Sequence, residues 1–205
     1  VADRPLIDVL LPSRGRPALL SRAIDSLRGL AIYPARVGVI VGADTDDRAT
    51  ITAADGAGAD CLISERHGYE RLHVYYQQLA AASRARWLLV WNDDAVMLTQ
   101  GWDTVLDHLP RSVLVADLQS HHSPMCCFPA VRREAVRAAG KFSSDNPHVD
   151  SFWQVVGELS GTIAAVPIEV HHEQGSRAGN EHGFHDPAHL AELALCAQRC
   201  REAVS

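Results

Sequence analysis

Long apolar runs, CxxC cysteine pairs, internal repeats, low-complexity tracts and an excess of basic charge are all missing from this 205-residue chain. Each absence removes a class of function. The five consecutive apolar residues Trp87 to Trp91 fall far short of the roughly 20 that cross a bilayer as a helix. Nineteen basic residues against 25 acidic ones leave a net charge of −6, so nothing draws the whole surface to DNA, RNA or anionic lipid, although a local basic groove is still allowed. The five cysteines, Cys61, Cys126, Cys127, Cys196 and Cys200, form an odd set, which argues against a disulfide framework and for a reducing compartment. Cys196 and Cys200 stand one helical turn apart, and core packing is their readier role. The stretch VADRPLIDVLLPSRGRP turns polar after one short apolar run and lacks a secretion-signal pattern. The expectation is a soluble, cytoplasmic protein without stable membrane insertion.

What is present is an alternation of strand and helix signals. Leu6 to Leu11 reads as a strand, Pro12 to Pro17 as a basic turn, and the next helix places Leu20, Ile24 and Leu27 on one face, with Pro17 suited to its first position. Val37 to Val41 is a second strand and Asp60 to Ile63 a weaker third. A helix follows from about Tyr69 to Ala82, with Leu72, Tyr76 and Leu79 on one face, and then the buried strand Trp87 to Trp91. This α/β pattern implies a mostly parallel, Rossmann-like sheet covered by helices. After Gly101 the pattern predicts a helix to about Leu109, a strand at Ser112 to Ala116, a helix at Ala130 to Ala139, another after Asp150, and a strand at Thr162 to Val170. Glu169 to Asp186, with His171, His172, His182 and His185, reads as a polar loop, and Asp186 with Pro187 as the start of a last helix. No linker divides the chain, so residues 1–205 are expected to form one domain: a nucleotide-binding half at 1–103, an acceptor half at 104–186 and a C-terminal helix at 187–205.

The chemistry concentrates at the carboxyl ends of the early strands, where parallel sheets bind ligands. Asn92, Asp93 and Asp94 close one strand and Asp44, Asp46 and Asp47 another, and two such clusters on one edge would repel without a cation. Asn92, Asp93 and Asp94 also suit a plain Asx turn or the cap of a following helix, and that simpler role stands beside the metal one. The turn Pro12, Ser13, Arg14, Gly15, Arg16 brings a hydroxyl, a close-approach glycine and two guanidinium groups to the same edge, ahead of a helix N-terminus; these are phosphate-binding parts. His171 and His172 follow a late strand and can return an imidazole. Carboxylates with one imidazole and open positions suit Mn²⁺, and an all-oxygen shell suits Mg²⁺.

In the order of its motifs the chain resembles a GT-A fold glycosyltransferase of the family-2 type. LIDVLLPSRGRPALLSRAIDSL is similar to that family's opening strand, turn and helix, and Asp44 in VGVIVGADTDD to the aspartate that holds the donor's base. NDD is similar to its DxD metal motif, with Asp94 in the metal-binding last place and Asn92 departing from the usual first aspartate. PMCCFPAVRREAVRAAGKF resembles the acceptor-side segment, DNPHVDSFWQVV the place of an inverting enzyme's base, and VHHEQG a late metal-binding histidine segment. The resemblance implies a metal-dependent inverting transferase of the hexosyl or N-acetylhexosaminyl class. Its donor would be a nucleotide-diphosphate sugar, UDP-linked by family likeness, and its acceptor a hydroxyl on a sugar, lipid carrier, protein or modified nucleobase.

Within that frame Asp94 is the expected direct ligand, completed by His172 or His171, of which only one can face the ion because strand neighbours point opposite ways. Asp93 or Asn92 would hold the ribose or a metal-bound water, and Pro12, Ser13, Arg14, Arg16 and Asp44 would line the nucleotide. Asp150 is the candidate base, with a helix N-cap as its simpler role and Asp145 in reserve. Trp102 would line the sugar pocket or pack in the core. Gln174 to Gly183 would close over the donor or stay open. Two other functions share these residues: a metal-dependent nucleotide-sugar hydrolase or nucleotidyltransferase, and a non-catalytic nucleotide-binding domain of the same fold.

Overall fold

The structure, a computed structural model, describes residues 5–120, 125–173 and 187–205. Among the described residues its centre is one eight-stranded sheet in the order β3-β2-β1-β4-β7-β6-β8-β5. The strands are β1 (Ile7–Pro12), β2 (Val37–Asp44), β3 (Asp60–Ser64), β4 (Trp87–Val90), β5 (Ala95–Met97), β6 (Val115–Ser120), β7 (Pro129–Arg132) and β8 (Ile163–His172). The first four strands in that order pair in parallel. β7 then runs antiparallel between β4 and β6, β8 lies parallel to β6, and β5 closes the sheet antiparallel to β8.

Period-two alternation splits each central strand between two cores. Ile7, Val9 and Leu11 of β1, with Trp87 and Leu89 of β4 and the following Trp91, pack on one face with residues of α1 (Pro17–Gly29), α2 (Arg48–Gly56) and α4 (Trp102–His108). Leu10, Leu88 and Val90 face the other way, against α3 (Leu72–Ala82), α5 (Arg133–Ala139), α6 (Val149–Ser160) and α7 (Pro187–Val204). Helices on both faces explain why β4 is apolar at every position. Cys196 and Cys200 are both buried on the face of α7 that packs against α5, as packing residues.

Several boundaries differ from the sequence reading. Residues Ala130 to Arg132, read as the start of a helix, belong to β7, and α5 begins only at Arg133. Pairing with β4 and β6 on both sides outweighs the helical preference of Ala130 and Arg132. β6 starts three residues later than expected, because Pro110 to Val113 forms a turn first. Helix α2 and the short β5 were not anticipated. The helix expected from Tyr69 opens with a single 3₁₀ turn before α3. Asp186, His182, His185 and the segment Gln174 to Gly183 lie outside the described residues, whereas Pro187 does open α7.

Candidate functional site

The carboxyl ends of β1, β2 and β4 meet at one edge, and the turn after β1 ties them together. Ser13 N–H donates to the Gly42 carbonyl at 3.0 Å, so the turn leaves β1 along β2. Gly15 takes a φ of +68°, a left-handed conformation natural only to glycine among ordinary residues. Arg16 then caps α1 with Pro17 at its first position.

Each side chain of that turn meets an acidic partner. The Ser13 hydroxyl donates to Asp93 Oδ2 at 2.7 Å. Arg14 donates to Asp44 Oδ2 at 2.6 Å and forks onto both oxygens of Asp46 at 2.5 and 3.0 Å. Arg16 Nη1 lies 3.1 Å from Asp93 Oδ1 and 3.5 Å from Asp94 Oδ2. The two clusters do converge, as expected, but arginines and hydrogen bonds already offset their charge. Repulsion therefore does not by itself require a cation. Asp47 has a structural place: it caps α2 by accepting from Thr50 N–H at 3.2 Å and Thr50 Oγ1 at 2.6 Å, and it also accepts from Gly15 N–H at 2.7 Å. Burial pushes its carboxyl up, and these bonds outweigh burial to leave it below the ordinary range.

Asp44 is buried between Arg14 and Tyr75, whose hydroxyl donates to its Oδ1 and accepts from His67 N–H. Tyr75 was not foreseen. It sits one position from the predicted apolar face of α3, and no local pattern links it to Asp44, 31 residues away.

His172 reaches the edge from β8 because β5 brings it there: Ala95, next to Asp94, pairs in register with His172, and Val96 with His171. Glu173 N–H donates to the Asp94 carbonyl at 3.0 Å, fixing that register. His172 Nε2 lies 3.0 Å from Asp94 Oδ1, and its ring packs edge-on against Phe128. The bond from His172 is the main cause that holds the Asp94 carboxyl below its ordinary value. Asp93, one residue away, is pushed up by burial despite Ser13 and Arg16. Asn92 is half-buried at the same turn, where its carbonyl accepts from Ala95 N–H at 3.2 Å. Asp94 and His172 supply one carboxylate oxygen and one imidazole nitrogen within reach of each other, a donor set that fits Mn²⁺ with open positions. Among the described residues no group of three His, Cys, Asp or Glu converges on one point.

Asp150 is not the cap of α6: that position belongs to His148, and Asp150 stands two residues further on, half-buried, with Ser151 N–H donating to its Oδ1 at 2.7 Å. Burial pushes its carboxyl above the ordinary range. The Tyr76 hydroxyl donates to the Trp91 carbonyl at the end of β4 at 3.0 Å. Burial raises its phenol, and the charges of Asp150 and Asp93 raise it further. Asp145 is exposed. Trp102 is wholly buried with its indole N–H on the Leu27 carbonyl, a packing residue and not a pocket wall.

No protein-family model and no curated protein matches the chain by sequence. Solved structures do match by shape. A mannosyltransferase from Pyrobaculum calidifontis, PcManGT, in complex with GDP-Man and Mn²⁺, superposes with a TM-score of 0.64 over 86% of this chain and 59% of its own, at 14% identity. The chain has the GT-A fold. The same fold relates it to S. aureus TarS in complex with UDP, at a TM-score of 0.62, 10% identity, 80% of this chain and 60% of that one. It relates it also to the glucosyl-3-phosphoglycerate synthase of Mycobacterium tuberculosis in complex with Mn²⁺, UDP and glucosyl-3-phosphoglycerate, at 0.63, 15% identity, 96% and 80%. The chain thus spans about three fifths of the first two of these GT-A proteins. Among the described residues, no helix is long and apolar enough to cross a membrane.

Proposed function

We propose that the protein is a Mn²⁺-dependent inverting glycosyltransferase that moves a sugar from a nucleotide-diphosphate donor, UDP-linked by preference, to a hydroxyl acceptor. The observation that carries the proposal is the 3.0 Å approach of His172 to Asp94 at the carboxyl edge of a GT-A sheet, beside Arg16 and the turn after β1. Support comes from the fold's occurrence in PcManGT with GDP-Man and Mn²⁺ and in the mycobacterial synthase with UDP and Mn²⁺.

Asp94 and His172 would hold the ion, and the chemistry it would supply when bound is neutralisation of charge on the departing diphosphate. Asp44, oriented by Arg14 and Tyr75, would accept the base's N–H. Arg16 and the Ser13 turn would meet phosphate oxygens, with Arg16 exchanging its contacts to Asp93 and Asp94 for the donor. Asn92 or Asp93 would take the ribose. Asp150 would act as general base. Its Oδ1 already accepts from Ser151, so Oδ2 would take the acceptor hydroxyl's proton as the oxygen attacks the sugar. Burial that raises its pKa makes it a stronger base than an exposed carboxylate.

Thermal shift with UDP- and GDP-sugars, with and without Mn²⁺, tests donor binding directly, since a ligand selective for the folded state raises the melting temperature. Asp94→Ala should abolish the metal-dependent shift. Asp150→Asn should keep the shift and lose transfer. Near-normal transfer by Asp94→Ala in chelator would sink the metal assignment, and full activity in Asp150→Asn would remove the base.

A further inference from the structure

At the opposite edge of the sheet, the amino ends of β1, β2 and β4, the chain collects arginines. A cavity of about 300 Å³ is lined by Pro5, Leu6, Ala85 and Glu134 together with Arg36, Arg84, Arg86, Arg133 and Arg137. Pro5 and Leu6 precede β1, Arg36 precedes β2, Arg86 precedes β4, and Arg133 follows β7, whose Arg132 pairs in register with Trp87. A six-residue strand, about 20 Å, separates this cavity from the donor edge.

Part of the cluster is structural. Arg36 and Arg86 share Asp107 at 2.9 and 2.6 Å. Arg133 donates to the Ala85 carbonyl and Ser83 Oγ. Arg84 and Arg137 are different: both are exposed, and neither guanidinium forms a hydrogen bond or ion pair with any described residue. Five guanidinium groups therefore line the cavity against one lining carboxylate, Glu134, with Asp107 beside them, in a chain whose net charge is −6.

We propose that this cavity is a second anion site, which takes a phosphate-bearing ligand of about the size of a diphosphate and is separate from the donor edge. Planar guanidinium groups grip phosphate oxygens in bidentate pairs, and the volume lies at the small end of ligand pockets. A soluble phosphate ester and an anionic lipid headgroup carry the same chemistry, and the test separates them.

Inorganic pyrophosphate is titrated calorimetrically into the whole chain in EDTA at low salt, and phosphatidylcholine vesicles with and without phosphatidylglycerol are co-sedimented with it. Saturable binding of one probe is expected, weakened about tenfold or more in R84E/R137E, unchanged in Asp94→Ala, and reduced by salt. Pyrophosphate binding identifies a free anion as the ligand; binding only to the anionic vesicles identifies a headgroup. If the double reversal does not fold, R84Q and R137Q provide the comparison. Absence of both interactions, or equal binding by wild type and variants, overturns the site. Because Asp94→Ala leaves the cavity arginines in place and R84E/R137E leaves the donor edge in place, failure here and failure of the transferase proposal are told apart.

Discussion

Two histidines adjacent in the sequence stand in different relations to Asp94. Strand alternation sends His171 and His172 to opposite faces, and the in-register pairing of Ala95 with His172 decides which one reaches the carboxylate. His172→Ala is therefore expected to weaken Mn²⁺-dependent donor binding about tenfold or more, whereas His171→Ala leaves it within about twofold, well under one tenfold step; calorimetric titration of donor with Mn²⁺ measures both. Equal losses would mean that β8 supplies the ion from either face. At this scale the sequence was informative where a residue's chemistry coincided with a strand end, as for Ser13, Arg14, Asp44, Asp93 and Asp94. It was silent where the partner was remote and ordinary, as for Tyr75 on Asp44, whereas Asp47, three residues before Thr50, makes the local cap of α2.

That cap belongs to the scale of elements. Asp47 joins the start of α2 to Gly15 of the donor turn through three hydrogen bonds, so Asp47→Ala should destabilise the protein by about 1–2 kcal/mol in urea unfolding, with donor affinity falling as the turn loosens. An unchanged midpoint would deny it that part. Helix α7 is held differently. Glu192 accepts from Lys141 and from Ser144 Oγ at 2.9 Å, with His189 Nδ1 at 3.4 Å. Burial pushes its carboxyl up, but these partners outweigh burial and leave it below the ordinary value. The folded state then binds fewer protons than the unfolded one near the ordinary carboxylate range, so this contribution is present above that range and is lost as pH falls through the lowered folded pKa. Hydrogen exchange of α7 should accelerate on acidification across that window, and Glu192→Gln should flatten the dependence. The elements themselves were readable when long and periodic, as α1 and β4 were. β5, only three residues long, and β7, rich in helix-compatible residues, owe their state to neighbours far along the chain.

Over the whole molecule, the sheet separates two chemistries by direction: carboxylates with their arginine partners at one edge and an arginine-lined cavity at the other. The parallel order of β3, β2, β1 and β4 makes this separation, because every strand enters at one edge and leaves at the other. A buried charge fastens the frame near the entry edge. Asp8 of β1 accepts from Ser83 Oγ at 2.6 Å and from Ala85 N–H at 3.4 Å, and a Cβ on Gly38 of β2 would come within 2.2 Å of its Oδ1. With its other oxygen held by the loop before β4, the carboxylate cannot swing aside freely. Gly38→Ala should cost about 1–3 kcal/mol of overpacking, seen as a lowered unfolding midpoint with no change in donor specificity. Parallel order, helices on both faces and the gathering of acidic and basic side chains at the strand ends were all legible from alternation and composition. The order of the second-half strands was not, since it depends on pairings that leave no local pattern.

The cores also determine how this protein can be observed. All four tryptophans lie fully buried, Trp87, Trp91 and Trp102 on one side of the sheet and Trp153 on the other. Their intrinsic emission should be that of indoles kept from water, shifting to the red when either layer opens. A fluorescence experiment on the unlabelled chain is therefore a gauge of integrity, with one reporter population for each layer, and following ligands at the rims of the sheet calls for a dye placed there.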